Sequence, residues 1–507
     1  MLKTIRRILA AFSFIFITLL FLDFTGTLQK WFGWLARIQF LPAIMALNLA
    51  VIIALILITI VFGRIYCSVI CPLGIFQDLI SWMSGKRKKK KMRFSYSPEK
   101  KWIRYGVFVL FAIALISGIH AFVSILAPYS SYGRIAQNLF SPVYLWMNNF
   151  LAFIAEKADS FAFYSKDVWI KSLPTFVIAA LTFAIIFILA WKNGRTYCNT
   201  VCPVGTILSF FSRFSLFRPI INTEKCKTCH ICERKCKAAC IDLKTHKIDY
   251  SRCVDCFDCI DNCRFDAMEY RFAYGVKPKN GSSGNGGEHD LKNENSSGKL
   301  SRRAFLTTTA IAVTAATVKA GEKKIDGGLA MITDKKIPER KERLTPFGSV
   351  SIDHFYDCCT ACQLCVSVCP NEILRPSVEL EYLMQPVMSY ERGYCRPECV
   401  KCSEVCPSGA ILKITPEEKT AIHIGTAVVD YDLCVVNTDN VNCGNCARHC
   451  PAGAIRMLRK DPDNRESLRI PSVIEERCIG CGACENLCPS RPYSAIHVDG
   501  LKIHRTD

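Results

Sequence analysis

Two short stretches carry the same cysteine-bearing turn 131 residues apart: "RIYCSVICPLG" at residues 64–74 and "RTYCNTVCPVG" at residues 195–205. Each places two thiols four residues apart, Cys67 with Cys71 and Cys198 with Cys202, and each follows a long apolar run. In a helix the i and i+4 positions share a face, and Pro72 and Pro203 restrict the residue before them. Each turn is therefore expected to present a pair of sulfurs. Gly63, Arg64 and Tyr66 repeat in register as Gly194, Arg195 and Tyr197. The repetition predicts that all four thiols form one joint site, a thiol relay or a metal-ligating set.

A second and denser chemistry follows. Cys226, Cys229, Cys232 and Cys236 have the spacing C-x2-C-x2-C-x3-C, and Cys253, Cys256, Cys259 and Cys263 repeat it. With this spacing a short loop supplies three thiolates to one four-iron cubane and the fourth reaches a second cubane. Cys226, Cys229, Cys232 and Cys263 are thus expected around one cluster, and Cys253, Cys256, Cys259 and Cys236 around its partner. Neither Cys236 nor Cys263 is followed by proline. Four further sets each end in Cys-Pro: Cys359, Cys362, Cys365 and Cys369; Cys395, Cys399, Cys402 and Cys406; Cys434, Cys443, Cys446 and Cys450; Cys478, Cys481, Cys484 and Cys488. Six [4Fe-4S] clusters are expected, with these cysteines as iron ligands, and the pairing within the last four sets stays open. Zinc motifs instead pair two C-x2-C knuckles. The Cys395, Cys399, Cys402 loop also matches the radical-SAM spacing, but Cys406 closes that set. Cys240 and Cys358 lie beside ligands and read as packing residues.

The elements that must hold these sulfurs follow from hydropathy. The chain has 507 residues, 30 cysteines and 50% apolar content. Cysteines clustered in fours favour metal ligation over a dispersed disulfide framework. Apolar runs at 8–22, 40–62, 105–126 and 173–191 predict four transmembrane helices. The formal charge of +20 concentrates in the run at 85–93, which with Lys3, Arg6 and Arg7 predicts a cytoplasmic face rather than a nucleic-acid partner. His120 is the single histidine in the four runs, so a haem with two histidine ligands is not expected there. A lone intramembrane histidine is a candidate quinol proton acceptor.

The expected fold is multi-domain: a four-helix transmembrane bundle (1–217), a two-cluster α+β ferredoxin domain (218–272), a Gly/Ser/Asn-rich flexible linker (273–300), a twin-arginine-type signal or anchor at Arg302 and Arg303 (301–324), and a four-cluster ferredoxin domain (325–507).

The paired CP turns on a helix bundle, followed by two ferredoxin motifs, resemble NapH and its relatives in the NosR and MauN group. The region from Arg302 onward resembles NapG, the exported partner. The resemblance implies a fused pair that takes electrons from the membrane quinol pool and delivers them to an extracytoplasmic reductase or carrier. It also implies that Cys67, Cys71, Cys198 and Cys202 serve quinol oxidation or its coupling to the clusters. The first ferredoxin domain is then cytoplasmic and the C-terminal one extracytoplasmic, in a multi-pass protein of the cytoplasmic membrane. A redox-sensing or maturation factor is the alternative. A cytoplasmic electron-input complex follows only if the twin-arginine segment is dismissed.

Overall fold

The computed structural model describes residues 1–87, 94–159, 163–274 and 333–506. Most of the expected linker and the whole of the twin-arginine segment at 301–324 lie outside these residues. We label seven helices of the N-terminal domain: α1 (Leu2–Leu22), α2 (Leu49–Phe62), α3 (Pro72–Arg87), α4 (Lys101–Ile116), α5 (Pro128–Ile135), α6 (Leu173–Asn193) and α7 (Pro203–Ser212).

Two of the four predicted spans are continuous. α1 and α6 each have 21 residues and are long and apolar enough to cross a membrane, with a length of about 31 Å at 1.5 Å per residue. The other two are broken, for local reasons that average hydropathy hides. The run at 40–62 divides into Phe40–Met45 and α2, because Asn48 accepts a hydrogen bond from Val51 N at 3.3 Å and starts a new helix. The run at 105–126 divides at Gly118 (φ 72°), after which His120–Leu126 forms a separate helix. Pro128 then opens α5 and leaves Ala127 extended, as the residue before proline prefers.

The helical domain buries several polar side chains within an apolar core and is apolar on its outside. Ser13, Thr59, Thr175, Arg6 and Arg104 are buried. Ile8, Phe12, Ile15, Ile53, Leu57, Leu110, Ile113, Leu181 and Ile185 are exposed. Small inward residues such as Ala10, Ala114, Ala179 and Ala190 let helices approach closely.

Two ferredoxin modules meet opposite ends of α1. In the first, Phe217–Ile221 pairs antiparallel with Met268–Phe272, and Lys3 at the start of α1 reaches Asp258 and Asp261 at 3.2 and 2.6 Å. In the second, Ile422–Val429 pairs with Ile496–Thr506 and Ile455–Arg459 with Arg469–Val473. Lys401 of that module donates to Thr25 O, just past the other end of α1, at 2.8 Å, and Arg37 donates to Glu404 O at 2.8 Å.

Candidate functional site

Short helices and left-handed turns hold each ferredoxin loop. His230 and Phe257, at φ near 57° and 58°, turn the chain into the one-turn helices Ile231–Lys235 and Asp258–Asp261 that carry Cys232 and Cys259. In the first module, Cys226, Cys229, Cys232 and Cys263 line one cavity of about 360 Å³. Cys236, Cys253, Cys256 and Cys259 line a second of about 400 Å³. This is the exchanged arrangement that the spacing predicts.

The consecutive sets of the C-terminal module are not the quartets that assemble. Cys369 leaves its own set and joins Cys395, Cys399 and Cys402 around a cavity of about 500 Å³. Cys488 joins Cys434, Cys443 and Cys446, while Cys450 joins Cys478, Cys481 and Cys484. Cys406 lies in electrostatic reach of Cys359, Cys362 and Cys365, which completes the last quartet. Cys369, Cys406 and Cys488 share one physical reason. The residue after the one-turn helix is extended, as at Cys369 and Cys406, and carries its thiol away from its own loop toward the neighbouring one.

The cavities fit a cubane in chemistry as well as shape. They are bounded by apolar side chains such as Ile221, Phe265 and Met268, and backbone N–H groups point at sulfurs: Ala267 to Cys263 (3.3 Å), Ile411 to Cys406 (3.4 Å), Ala427 to Cys478 (3.3 Å) and Ala454 to Cys450 (3.3 Å). Buried Lys419 donates to Cys395 Sγ at 3.1 Å. Such donors stabilise thiolate and tune cluster potential. Among the described residues, no three Cys, His, Asp or Glu side chains converge closely enough for a single metal ion.

Cys240, read from sequence as packing, has its Sγ 3.5 Å from that of Cys236 and lines the same cavity. Cys358 is half-buried and lines none of these cavities. Cys226 to His230 also spells the haem-attachment pattern C-x-x-C-H, which corrects the expectation that the chain lacks that motif. Here Cys226 and Cys229 face the first cavity and His230 turns to Glu233, with Nδ1 to Oε2 at 2.8 Å.

The CP turns form one buried assembly. Gly63 (φ 75°) ends α2 against Asp255, whose carboxylate fills the space a Cβ would take. Gly194 (φ 69°) ends α6 against Lys237 O in the same way. The arginines then exchange partners. Arg64 donates from Nη2 to Cys198 O at 3.1 Å, and Arg195 donates from Nη1 to Cys67 O at 2.7 Å. Gly74 and Gly205 make this approach possible: a Cβ on either would stand 2.2 or 2.3 Å from the Cys67 or Cys198 carbonyl.

The predicted i, i+4 helix does not form, because each short helix, Tyr66–Val69 and Thr196–Thr200, ends before its second cysteine. Cys202 is extended and caps α7, its Sγ accepting from Gly205 N at 3.4 Å. Gln77 Nε2 donates to Cys198 Sγ at 3.3 Å, and Arg64 Nη2 lies 3.8 Å from Cys67 Sγ. All four thiols are buried and free.

Charge is concentrated beneath this assembly. Asp78 on α3 accepts from Arg195 Nε at 2.9 Å and from Arg6 Nη1 at 3.1 Å, with Lys237 Nζ at 3.5 Å. Arg195 and Lys237 hold its carboxyl well below the ordinary range despite burial. Burial pushes the Asp255 carboxyl up to about 7. Asp78, Gln77, Gly74 and Gly205 were not singled out from sequence, although both glycines close the quoted repeat. His120 does not join the cysteines: its Nε2 lies 3.1 Å from Asp357 Oδ1 of the C-terminal module.

Comparison with known proteins places this geometry. The methylamine utilization ferredoxin-type protein MauM of Methylorubrum extorquens is 32% identical over 196 residues, covering 37% of this chain and 84% of MauM. The chain belongs to the MauM family of ferredoxin-type proteins. Ferredoxin-type protein NapG of Escherichia coli is 30% identical over 154 residues, 29% of this chain and 66% of NapG. Uncharacterized protein MJ0750 of Methanocaldococcus jannaschii is 25% identical over 279 residues, 54% of this chain and 96% of that protein. A 4Fe-4S dicluster domain matches residues 441–491, and a 4Fe-4S binding domain matches residues 44–91 and 175–223. The latter two stretches hold the CP turns. This MauM-family chain is an iron-sulfur electron-transfer protein.

Proposed function

We propose that the chain is a membrane-bound conduit that takes electrons from quinol at the helical domain and passes them to an extracytoplasmic reductase or carrier. It would combine a NapH-like membrane part with a NapG-like and MauM-like ferredoxin part in one polypeptide. The observation that carries this reading is the placement of two ferredoxin modules at opposite ends of α1, with the buried four-cysteine assembly in the helical domain that joins them. The apolar outer surface of that domain supports a bilayer environment, since exposed contiguous apolar surface calls for a non-aqueous neighbour. Six quartets, Cys226/229/232/263, Cys236/253/256/259, Cys359/362/365/406, Cys369/395/399/402, Cys434/443/446/488 and Cys450/478/481/484, would hold one cubane each.

A bound cubane supplies reversible one-electron transfer. The chain's own residues supply the rest. Lys419 and the backbone N–H donors orient thiolates, the apolar walls exclude water, and Arg64 and Arg195 lock the two CP turns to each other and to the first module. Cys67, Cys71, Cys198 and Cys202 are the coupling point between quinol chemistry and that module. Anaerobic membranes carrying a Cys67→Ser, Cys198→Ser double variant test this. The expected result is loss of quinol-driven cluster reduction with reduction by dithionite and iron content unchanged; normal quinol-driven reduction in that variant would overturn it.

A further inference from the structure

Arg134 on α5 is fully buried, at 0% exposure. Its Nη2 donates to Ser124 O at 2.9 Å and to Ser131 Oγ at 3.1 Å. Its Nε and Nη1 have no partner, and no carboxylate stands within ion-pair distance of it among the described residues. A buried charge left without an opposite charge costs several kcal/mol, so an anion must face it. The groups whose charge reaches it are Tyr197, of the second CP turn, and Cys362.

The backbone brings α5 hard against the cysteine loop. A Cβ at Gly133 would stand 2.4 Å from Cys362 O, so glycine permits the contact. Asn138, on the π-helical segment Ala136–Phe140 that continues α5, donates to Gln363 Oε1 at 3.0 Å. Interruptions of this kind are frequent at functional sites. Tyr129, one turn before Gly133, is 2% exposed and its hydroxyl also lacks a partner. Cys362 and Cys406 are the groups whose charge acts on it. Two unsatisfied donors thus belong to the one helix that packs on the Cys362 loop.

A cubane held by four thiolates is a dianion when oxidised and a trianion when reduced. A fixed guanidinium therefore favours the reduced state more than the oxidised one. We propose that Arg134 is the counter-charge of the cluster held by Cys359, Cys362, Cys365 and Cys406, that Tyr129 donates a hydrogen bond to it, and that together they raise its potential and make it the port through which the C-terminal module exchanges electrons with the helical domain. Both are positioning residues. The proposal rests on a cubane occupying this quartet, which iron content reports separately.

Potentiometric EPR titration of the full-length protein tests it, with Cys406→Ser identifying the component that belongs to this quartet. Arg134→Gln is expected to lower the potential of that component by at least tenfold in its reduction equilibrium, about 59 mV for one electron, leaving the others in place. Arg134→Lys restores most of the shift. Should Arg134→Gln lose iron, Tyr129→Phe decides: a smaller downward shift of the same component supports the proposal. An unchanged potential in an iron-replete Arg134→Gln protein, or in Tyr129→Phe, overturns it.

Discussion

Asp78 contacts Arg6, Arg195 and Lys237 and is buried with them, and Lys237 also reaches Asp258 at 3.1 Å. Asp78→Asn keeps the shape and removes the charge, leaving Arg6 and Arg195 without a carboxylate while Lys237 keeps Asp258. Breaking a buried pair by removing one partner costs about 3–5 kcal/mol. For a domain of this size each kcal/mol moves the melting temperature by roughly 2–4 °C, so the shift comes to about 6–20 °C. Because Arg195 also braces the Cys67 carbonyl, the same change loosens the two CP turns and their seat on the first module through Lys237. The assay is thermal unfolding of the detergent-solubilised protein at one fixed scan rate, followed by far-UV circular dichroism, with Asp78→Glu as the charge-retaining control. The sign of the pH dependence is also fixed. The carboxyl is held down by Arg195 and Lys237, so its contribution persists at all pH values above the ordinary carboxylate range and disappears only as acid drives the pH through the depressed value. A shift below about 2 °C for Asp78→Asn, given 2–4 °C per kcal/mol, would refute the reasoning.

Gly74→Ala and Gly205→Ala force a Cβ into the Cys67 and Cys198 carbonyls and against the exchanged arginines; each is expected to cost about 1–3 kcal/mol in the same melting assay. Burial pushes His504 down to about 4, so the fold favours its neutral form; wild-type stability relative to His504→Gln falls as the pH drops from about 6.5 toward that value and is level above it. Changing Arg302 and Arg303 to Lys is expected to leave the C-terminal module on the cytoplasmic side, read by protease accessibility in spheroplasts. Unchanged accessibility contradicts the export assignment.

Much of the site is legible in spacing alone. Two equal C-x2-C-x2-C-x3-C sets in the first module leave one sensible exchange of fourth ligands, and Cys236 and Cys263 make it. The C-terminal module offers four sets, and spacing does not say which loops are neighbours; Cys369 and Cys406 are assigned by the packing of the Leu364–Val368 helix against the Lys401–Val405 helix. Hydropathy finds the apolar runs yet averages over Asn48 and Gly118, each of which breaks a run by its own local bonding or dihedral. The repeat announces Arg64 and Arg195, but their exchange across the two turns needs the glycines three residues beyond each second cysteine to be read as approach points rather than as loop residues. Arg134 carries no motif, and what marks it is burial without an opposite charge, which only the structure shows.

The most direct measurement is the iron and acid-labile sulfide content of the anaerobically purified full-length chain. Six quartets predict close to 24 of each per chain, from four iron atoms and four sulfides per cubane. Zinc-rich protein with little labile sulfide would contradict the account.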